Sequence, residues 1–264
     1  MKLTPLRKTA QLLSLLAMVA VPLANHRGIG VVSGSFYSLT IGPLTMTDPL
    51  IAIQPLLATL RVDLALLATA LIPAAIALGL GRVFCSWVCP QNLLSELGDA
   101  LAAKLGLKRL AAPPPVPQVR YLALAVILAI TVLTGFPLAS LFSAPGILSV
   151  QTARFIYETT VGLELALIGL ILLAEFFVAR RVWCNHLCPV GTLLGLLRTK
   201  RTMRVVMAED AVHSCIHCRE CARACQLDLN PMAGELIPQC HNCGACIDAC
   251  EGMTADRKPL SFRF

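Results

Sequence analysis

The chain has 264 residues, of which 56% are hydrophobic, 14% charged and 5% aromatic, with a mean hydropathy of +0.73 and a net charge of +7. Soluble proteins carry about 25% charged residues, so roughly half of the usual charge is missing. That excludes a large soluble enzyme core, a disordered chain and a coiled coil, and leaves an α-helical membrane protein with little extramembrane structure.

Four stretches are apolar enough for a hydrocarbon layer of about 30 Å: residues 9–24, 62–80, 119–138 and 162–179. All but Arg27, Arg61 and Arg154 of the 22 Lys and Arg fall in the N-terminus, in 81–120 or after residue 179. Basic residues stay on the cytoplasmic side of an inner membrane. Both termini and the 81–120 loop are therefore expected inside, with loops at about 25–61 and 139–161 outside. The positive charge reads as topology and gives no ground for nucleic-acid binding. A cleaved signal peptide is the alternative for the first stretch, although Pro22 stands where a small residue is wanted before a cut near Ala24. Between the second and third stretches, Gln91 to Leu110 reads as an amphipathic interface helix, with Leu93, Leu94, Leu97, Leu101 and Leu105 at helical spacing. The proline-rich run 111–117 should follow as an extended strut.

Self-comparison finds a doubled unit. Arg82-Val-Phe-Cys85-Ser-Trp-Val-Cys89-Pro90 aligns with Arg181-Val-Trp-Cys184-Asn-His-Leu-Cys188-Pro189 at an offset of 99 residues. Upstream, Asp63-Leu-Ala-Leu-Leu67 matches Glu164-Leu-Ala-Leu-Ile168. Both copies point the same way, so the four transmembrane helices form two repeated hairpins about a pseudo-twofold axis along the membrane normal. That axis would gather Cys85, Cys89, Cys184 and Cys188 at the inner surface. Inert structural thiols, a redox dithiol set and an additional metal or cluster site all remain open for them.

The other eight cysteines make two runs, Cys215-x2-Cys218-x2-Cys221-x3-Cys225 and Cys240-x2-Cys243-x2-Cys246-x3-Cys250. This is the bacterial ferredoxin rhythm, in which the fourth cysteine ligates the other cluster. One [4Fe–4S] cluster is expected on Cys215, Cys218, Cys221 and Cys250, and the second on Cys240, Cys243, Cys246 and Cys225. Zinc is the alternative metal for four thiolates, but zinc modules seldom follow this spacing. Gln226 and Glu251 replace the proline usual after the fourth cysteine, and Gly244 has Arg219 as its counterpart in the first loop. None of His26, His186, His213, His217 and His241 forms a pair buried in a span, and Cys-x-x-Cys-His is absent, so no haem is expected. The chain thus divides into a membrane domain, 1–200, and a small cytoplasmic α+β ferredoxin-type domain, 208–264.

Carboxylates in a membrane are costly and invite a functional reading. Asp63 and Glu164 occupy equivalent outer positions and are candidate proton acceptors, with interfacial anchoring as the plain alternative. Glu175 is expected to pair with Arg180 or Arg181.

These motifs resemble the NapH-type membrane quinol dehydrogenase ferredoxin subunits, within a polyferredoxin family that includes NosR, CcoG and MauN. The resemblance rests on Cys85, Cys89, Pro90, Cys184, Cys188, Pro189 and the eight tail cysteines, and it covers nearly the whole length. It implies that the chain oxidises membrane quinol. Electrons would then pass through iron–sulfur centres to a ferredoxin-type or cytochrome partner of a periplasmic reductase such as nitrate reductase. The rival reading is an assembly or copper-handling factor for a respiratory metalloenzyme, in which the Cys-x3-Cys-Pro thiols hold the metal.

Overall fold

The computed structural model describes residues 2–28, 30–107, 109, 117–207, 215–233, 239–251 and 259–264. Helix α1, Leu3–His26, measures about 36 Å at 1.5 Å per residue. It is the one described helix that is long and apolar enough to cross a membrane. Leu12, Leu13, Leu16 and Val19 are exposed along it while Arg7 and Gln11 are buried, the order of burial expected of a helix in lipid. Its first amides, which have no partner within the helix, donate to Asp248: Leu3 N to Oδ1 at 2.8 Å and Thr4 N to Oδ2 at 2.6 Å. At the other end the rings of His26 and Tyr157 lie 5.6 Å apart.

The two loops between expected spans are built structures. In the first, an antiparallel sheet of β1 (Val32–Gly34), β2 (Ser38–Ile41) and β3 (Leu44–Thr47) leads into α2, Pro49–Thr59. The stretch 62–80 follows as two helices, α3 (Leu64–Thr69) and α4 (Leu71–Leu80). Short α5, Val83–Trp87, precedes α6, Pro90–Lys104. The interface helix therefore stops earlier than expected. Leu97, Leu101 and Leu105 are exposed on it, whereas Gln91, Asn92 and Ser95 are buried, so its apolar face is outward and its polar face is inside. Most of the proline strut lies outside the described residues.

The third expected span is α7, Pro117–Thr134, which ends at Gly135-Phe-Pro137, where Gly135 takes φ +67°. After α8, Leu138–Leu141, the second loop holds α9, Ala144–Glu158. The fourth span is α10, Glu164–Phe177, about 21 Å long and so short of a full crossing. Among the described residues α1 alone has the length and composition of a full crossing, and the other expected spans are shorter apolar helices. Instead each repeat combines a shorter apolar helix with a helix folded back from the loop. Helices α2 and α9 both end on a left-handed residue, Leu60 (φ 54°) and Thr159 (φ 55°), again 99 residues apart. Their first turns are buried in two apolar clusters, with Leu50 in one and Ala144 and Ile147 in the other.

A π-helical turn, Trp183–Leu187, and α11, Pro189–Leu196, complete the second repeat. The C-terminal unit pairs β4 (Arg204–Met207) with β5 (Leu260–Arg263), and α12 (Glu220–Arg223) and α13 (Ala245–Glu251) complete it. It is α+β as expected. Strand β4 joins this unit through its pairing with β5.

Candidate metal centres

The Cys-x3-Cys-Pro motif takes the same form in both repeats. Cys89 (φ −63°, ψ 119°) and Cys188 (φ −60°, ψ 111°) are the extended N-cap residues of α6 and α11, and Pro90 and Pro189 occupy the first helical positions. Proline suits that position because its missing N–H would have had no partner there, and it holds the preceding residue extended. The free amides of the following turn then point at the thiols: Gln91 and Asn92 at Cys89, Gly191 at Cys188. Cys85 and Cys184 sit one turn earlier, on α5 and on the π-helical turn.

The fold brings these four thiols together. Cys89 feels the charge of both Cys85 and Cys188, and Cys184 that of Cys188 and Cys89. Burial pushes the thiols of Cys89, Cys184 and Cys188 well above the usual range, so they stay protonated unless a metal displaces the proton. Two cations reach Cys188. Arg82 and Arg120 are each 2% exposed, and both act electrostatically on Cys188. Arg82 Nη1 donates to Gln239 O at 2.8 Å, and Arg120 Nη2 donates to Gly191 O at 3.0 Å. Among the described residues neither has a carboxylate partner, and Arg82 Nε and Arg120 Nη1 are buried without a hydrogen bond. Gly191 lets Arg82 in, because a Cβ there would collide with the guanidinium.

The tail cysteines fall into two sets. Cys250 couples to Cys221, Cys215 and Cys218, whereas Cys246 couples most strongly to Cys243, Cys240 and Cys225. Cys225, Cys240, Cys243 and Cys246 line one cavity. The two loops share one backbone path: His217 and Arg219 in the first, and Asn242 and Gly244 in the second, all take positive φ between 52° and 76°. Arg219 adopts at some cost the left-handed conformation that Gly244 adopts freely. His217 is exposed. His241 is buried, and desolvation with the charges of Arg82, Arg181 and Arg7 holds its ring neutral.

Among the described residues no three His, Cys, Asp or Glu converge at the spacing of a single ion. Zinc would draw four sulfurs to about 2.3 Å from one point, whereas a multi-iron cluster needs a wider ring of thiolates. Each tail set supplies four thiols, the complement that a [4Fe–4S] cluster takes.

The bundle motif also grips the tail. Ser86 Oγ donates to His241 O at 2.6 Å and Trp87 Nε1 to Asn242 O at 3.2 Å. Asn242 Nδ2 in turn donates to Leu80 O and Met203 O, both at 2.8 Å.

The expected acids are placed differently from one another. Asp63 is an exposed N-cap of α3, accepting from Leu66 N at 3.1 Å, and Glu164 is half-buried, accepting from Gln151 Nε2 at 2.9 Å. Glu175 is buried, but Arg180 and Arg181 pair with Asp99, at 3.7 and 3.4 Å, so the ion pair expected of Glu175 goes to a different acid. Sequence reasoning passed over Asp48. It caps α2, accepting from Leu50 N at 2.8 Å, and burial pushes its carboxyl up to about 6 against the amides of Leu50 and Ile51. The available signal was Asp48-Pro49 ahead of an apolar run, a helix start in a stretch read as loop.

Cysteine sets of this kind, on short loops beside a helical bundle, define an iron–sulfur protein of the electron-transfer class. Residues 62–108 and 161–205 each match the family model described as a 4Fe-4S binding domain, and these segments carry the two Cys-x3-Cys-Pro motifs. The chain is 30% identical to the ferredoxin-type protein NapH of Escherichia coli, over 84% of this chain and 78% of that one. It is 30% identical to NapH of Haemophilus influenzae, over 90% and 84% respectively. With the methylamine utilization ferredoxin-type protein MauN of Methylorubrum extorquens it shares 34%, over 83% and 73%. The chain belongs to this NapH and MauN family of ferredoxin-type proteins. No solved structure matches it.

Proposed function

We propose that the chain is a multi-pass inner-membrane protein that oxidises quinol and passes the electrons through three [4Fe–4S] clusters to a redox partner of a periplasmic reductase, such as nitrate reductase. The eight tail cysteines hold two clusters, in the sets Cys215, Cys218, Cys221, Cys250 and Cys240, Cys243, Cys246, Cys225. Cys85, Cys89, Cys184 and Cys188 hold the third. One observation carries the third centre: the buried guanidiniums of Arg82 and Arg120, which have no carboxylate partner among the described residues, act on Cys188 within a set of four half-buried thiols. An unpaired buried charge costs several kcal/mol, and a cluster bound as four thiolates supplies the missing negative charge. When bound, these clusters accept electrons singly. The protein's part is to hold them in line and in a dry setting.

Both termini are proposed to be cytoplasmic. In support, α1 has its first turn bound to Asp248 of the tail and its last beside Tyr157 in the second outer loop. The first outer loop meets that same loop, since Tyr37 Oη donates to Ser140 O at 2.6 Å.

Anaerobically purified protein should hold about twelve iron atoms, and Cys85→Ser with Cys184→Ser should hold about eight while the tail clusters stay reducible by dithionite. Wild-type protein with about eight would remove the third centre. Stoichiometric copper at those four cysteines in place of iron would favour the metal-handling reading.

A further inference from the structure

A cavity of about 570 Å³ lies between α1, the β-sheet and α4, within the size range of small-molecule sites. Its walls are almost wholly apolar, and among the described residues Asp48 is the one ionisable residue that lines it. Leu13 of α1 and Ile76 of α4 line it and are also 60% and 48% exposed, so it opens sideways between two apolar helices. Phe84, Val190 and Leu194 line it as well. Phe84 precedes Cys85 in the chain, and Val190 and Leu194 belong to the cluster against which Cys85 and Cys188 pack. A molecule in this cavity thus has lipid at the entrance, a carboxylate beside it and the four-thiol set behind one wall.

We propose that this cavity is where a long-chain p-hydroquinone is oxidised, and that Asp48 takes the proton from its hydroxyl group. The proposal rests on the reading of quinol oxidation above and gives that reaction a place and a base. An apolar cavity open to lipid admits the ring with the start of its isoprenoid tail, and the rest of the tail stays outside. Each hydroquinone loses two electrons and two protons. Its first O–H bond breaks with the proton going to Asp48 and one electron to an oxidised iron–sulfur cluster. Once Asp48 has released that proton to water, the second O–H bond breaks in the same way and a second cluster equivalent is reduced, leaving quinone.

Asp48 is also a helix cap, and the two roles are separable because Asn caps equally well but is no base. The other acids are less suited: neither Asp63 nor Glu164 lines the cavity. The titratable groups coupled in this neighbourhood are Tyr37, whose hydroxyl is bound to Ser140 O, and Glu164, which lies near Tyr37.

The test uses the whole protein with its clusters. Reduction of the clusters by menadiol and by a short-tailed ubiquinol is followed in wild type, Asp48→Asn, Glu164→Gln and Ala17→Trp, whose indole would enter the cavity from α1. In parallel, a photoreactive azidoquinone is crosslinked and the labelled peptides are mapped. Asp48→Asn should keep iron content, dithionite reduction and labelling, slow quinol-driven reduction by about 100-fold or more, and lose the limb in which the wild-type rate rises with pH near 6. Ala17→Trp should abolish labelling of cavity peptides, and Glu164→Gln should stay close to wild type. Unchanged quinol kinetics in both Asp48→Asn and Ala17→Trp would overturn the proposal, as would label placed outside the cavity. Absence of any quinol-driven reduction in wild type, with cavity labelling intact, would defeat the oxidation reading while supporting the cavity as a quinone site.

Discussion

Replacing Glu96 with Gln should detach the start of α1 from α6. Glu96, 8% exposed, accepts from Arg7, from Lys8, from Gln11 Nε2 at 3.0 Å and from Asn92 Nδ2 at 2.8 Å. Burial alone would raise its pKa; the hydrogen bonds and charge of Arg7, with Lys8, instead hold it down to about 2. A glutamate lowered from about 4.5 by that amount contributes about 3 kcal/mol at 1.36 kcal/mol per unit. Lys8 is 44% exposed, so solvent screening reduces its share. A depressed carboxylate pKa gives stability that is complete above the unfolded value and lost as pH falls through the folded one. The difference between wild type and Glu96→Gln should therefore be constant from about pH 5 upward. Leaving Arg7 buried without its partner typically costs about 3–5 kcal/mol, equivalent to a fall in Tm of about 6–20 °C for a chain of this size. Thermal unfolding in detergent measures it. Arg7→Gln added to Glu96→Gln should recover much of the loss, because no unpaired charge then remains. A Tm within 2 °C of wild type, or a double variant no better than the single, would refute the reasoning.

Reporter fusions after Leu110 and at the C-terminus should read cytoplasmic, and those after Thr40 or Ser149 external; active periplasmic phosphatase at the C-terminus would reverse the orientation. Gly146→Ala should destabilise the protein by about 1–3 kcal/mol in the same unfolding assay, because the new Cβ would overlap the Tyr37 ring. It should also perturb the cavity through Phe36, whose amide donates to Ser149 Oγ at 3.1 Å.

What could be read in the sequence was the chemistry encoded by local spacing. Cys-x2-Cys-x2-Cys sits on one tight loop, and Cys-x3-Cys-Pro on one helix start, so the pattern alone announces both. The lengths of the spans were harder. Hydropathy marks 162–179 as apolar but does not record that α10 covers only Glu164–Phe177. The loop helices α2 and α9 escaped because 11 and 15 residues fall short of a crossing. The arginines carry more than topology. Arg82, Arg120 and Arg181 count toward a positive inner side, yet all three are fully buried. Counting charge by segment cannot tell a loop cation from one turned toward the cysteines, and that difference comes from tertiary packing.

The order of the centres follows from four consecutive residues. Phe84 lines the cavity, Cys85 belongs to the four-thiol set, Ser86 binds the His241 carbonyl and Trp87 binds that of Asn242. His241 and Asn242 lie between Cys240 and Cys243 in the second tail loop. The second repeat approaches the same tail from the other side, with Asn185 Nδ2 reaching Leu227 O at 3.5 Å, two residues beyond Cys225. Both repeats therefore lead from half-buried thiols to the loops that carry Cys225, Cys240 and Cys243. Ser86, Trp87 and Asn185, three positions at which the two copies of the motif differ, are placed against the tail, which itself meets the two repeats unequally.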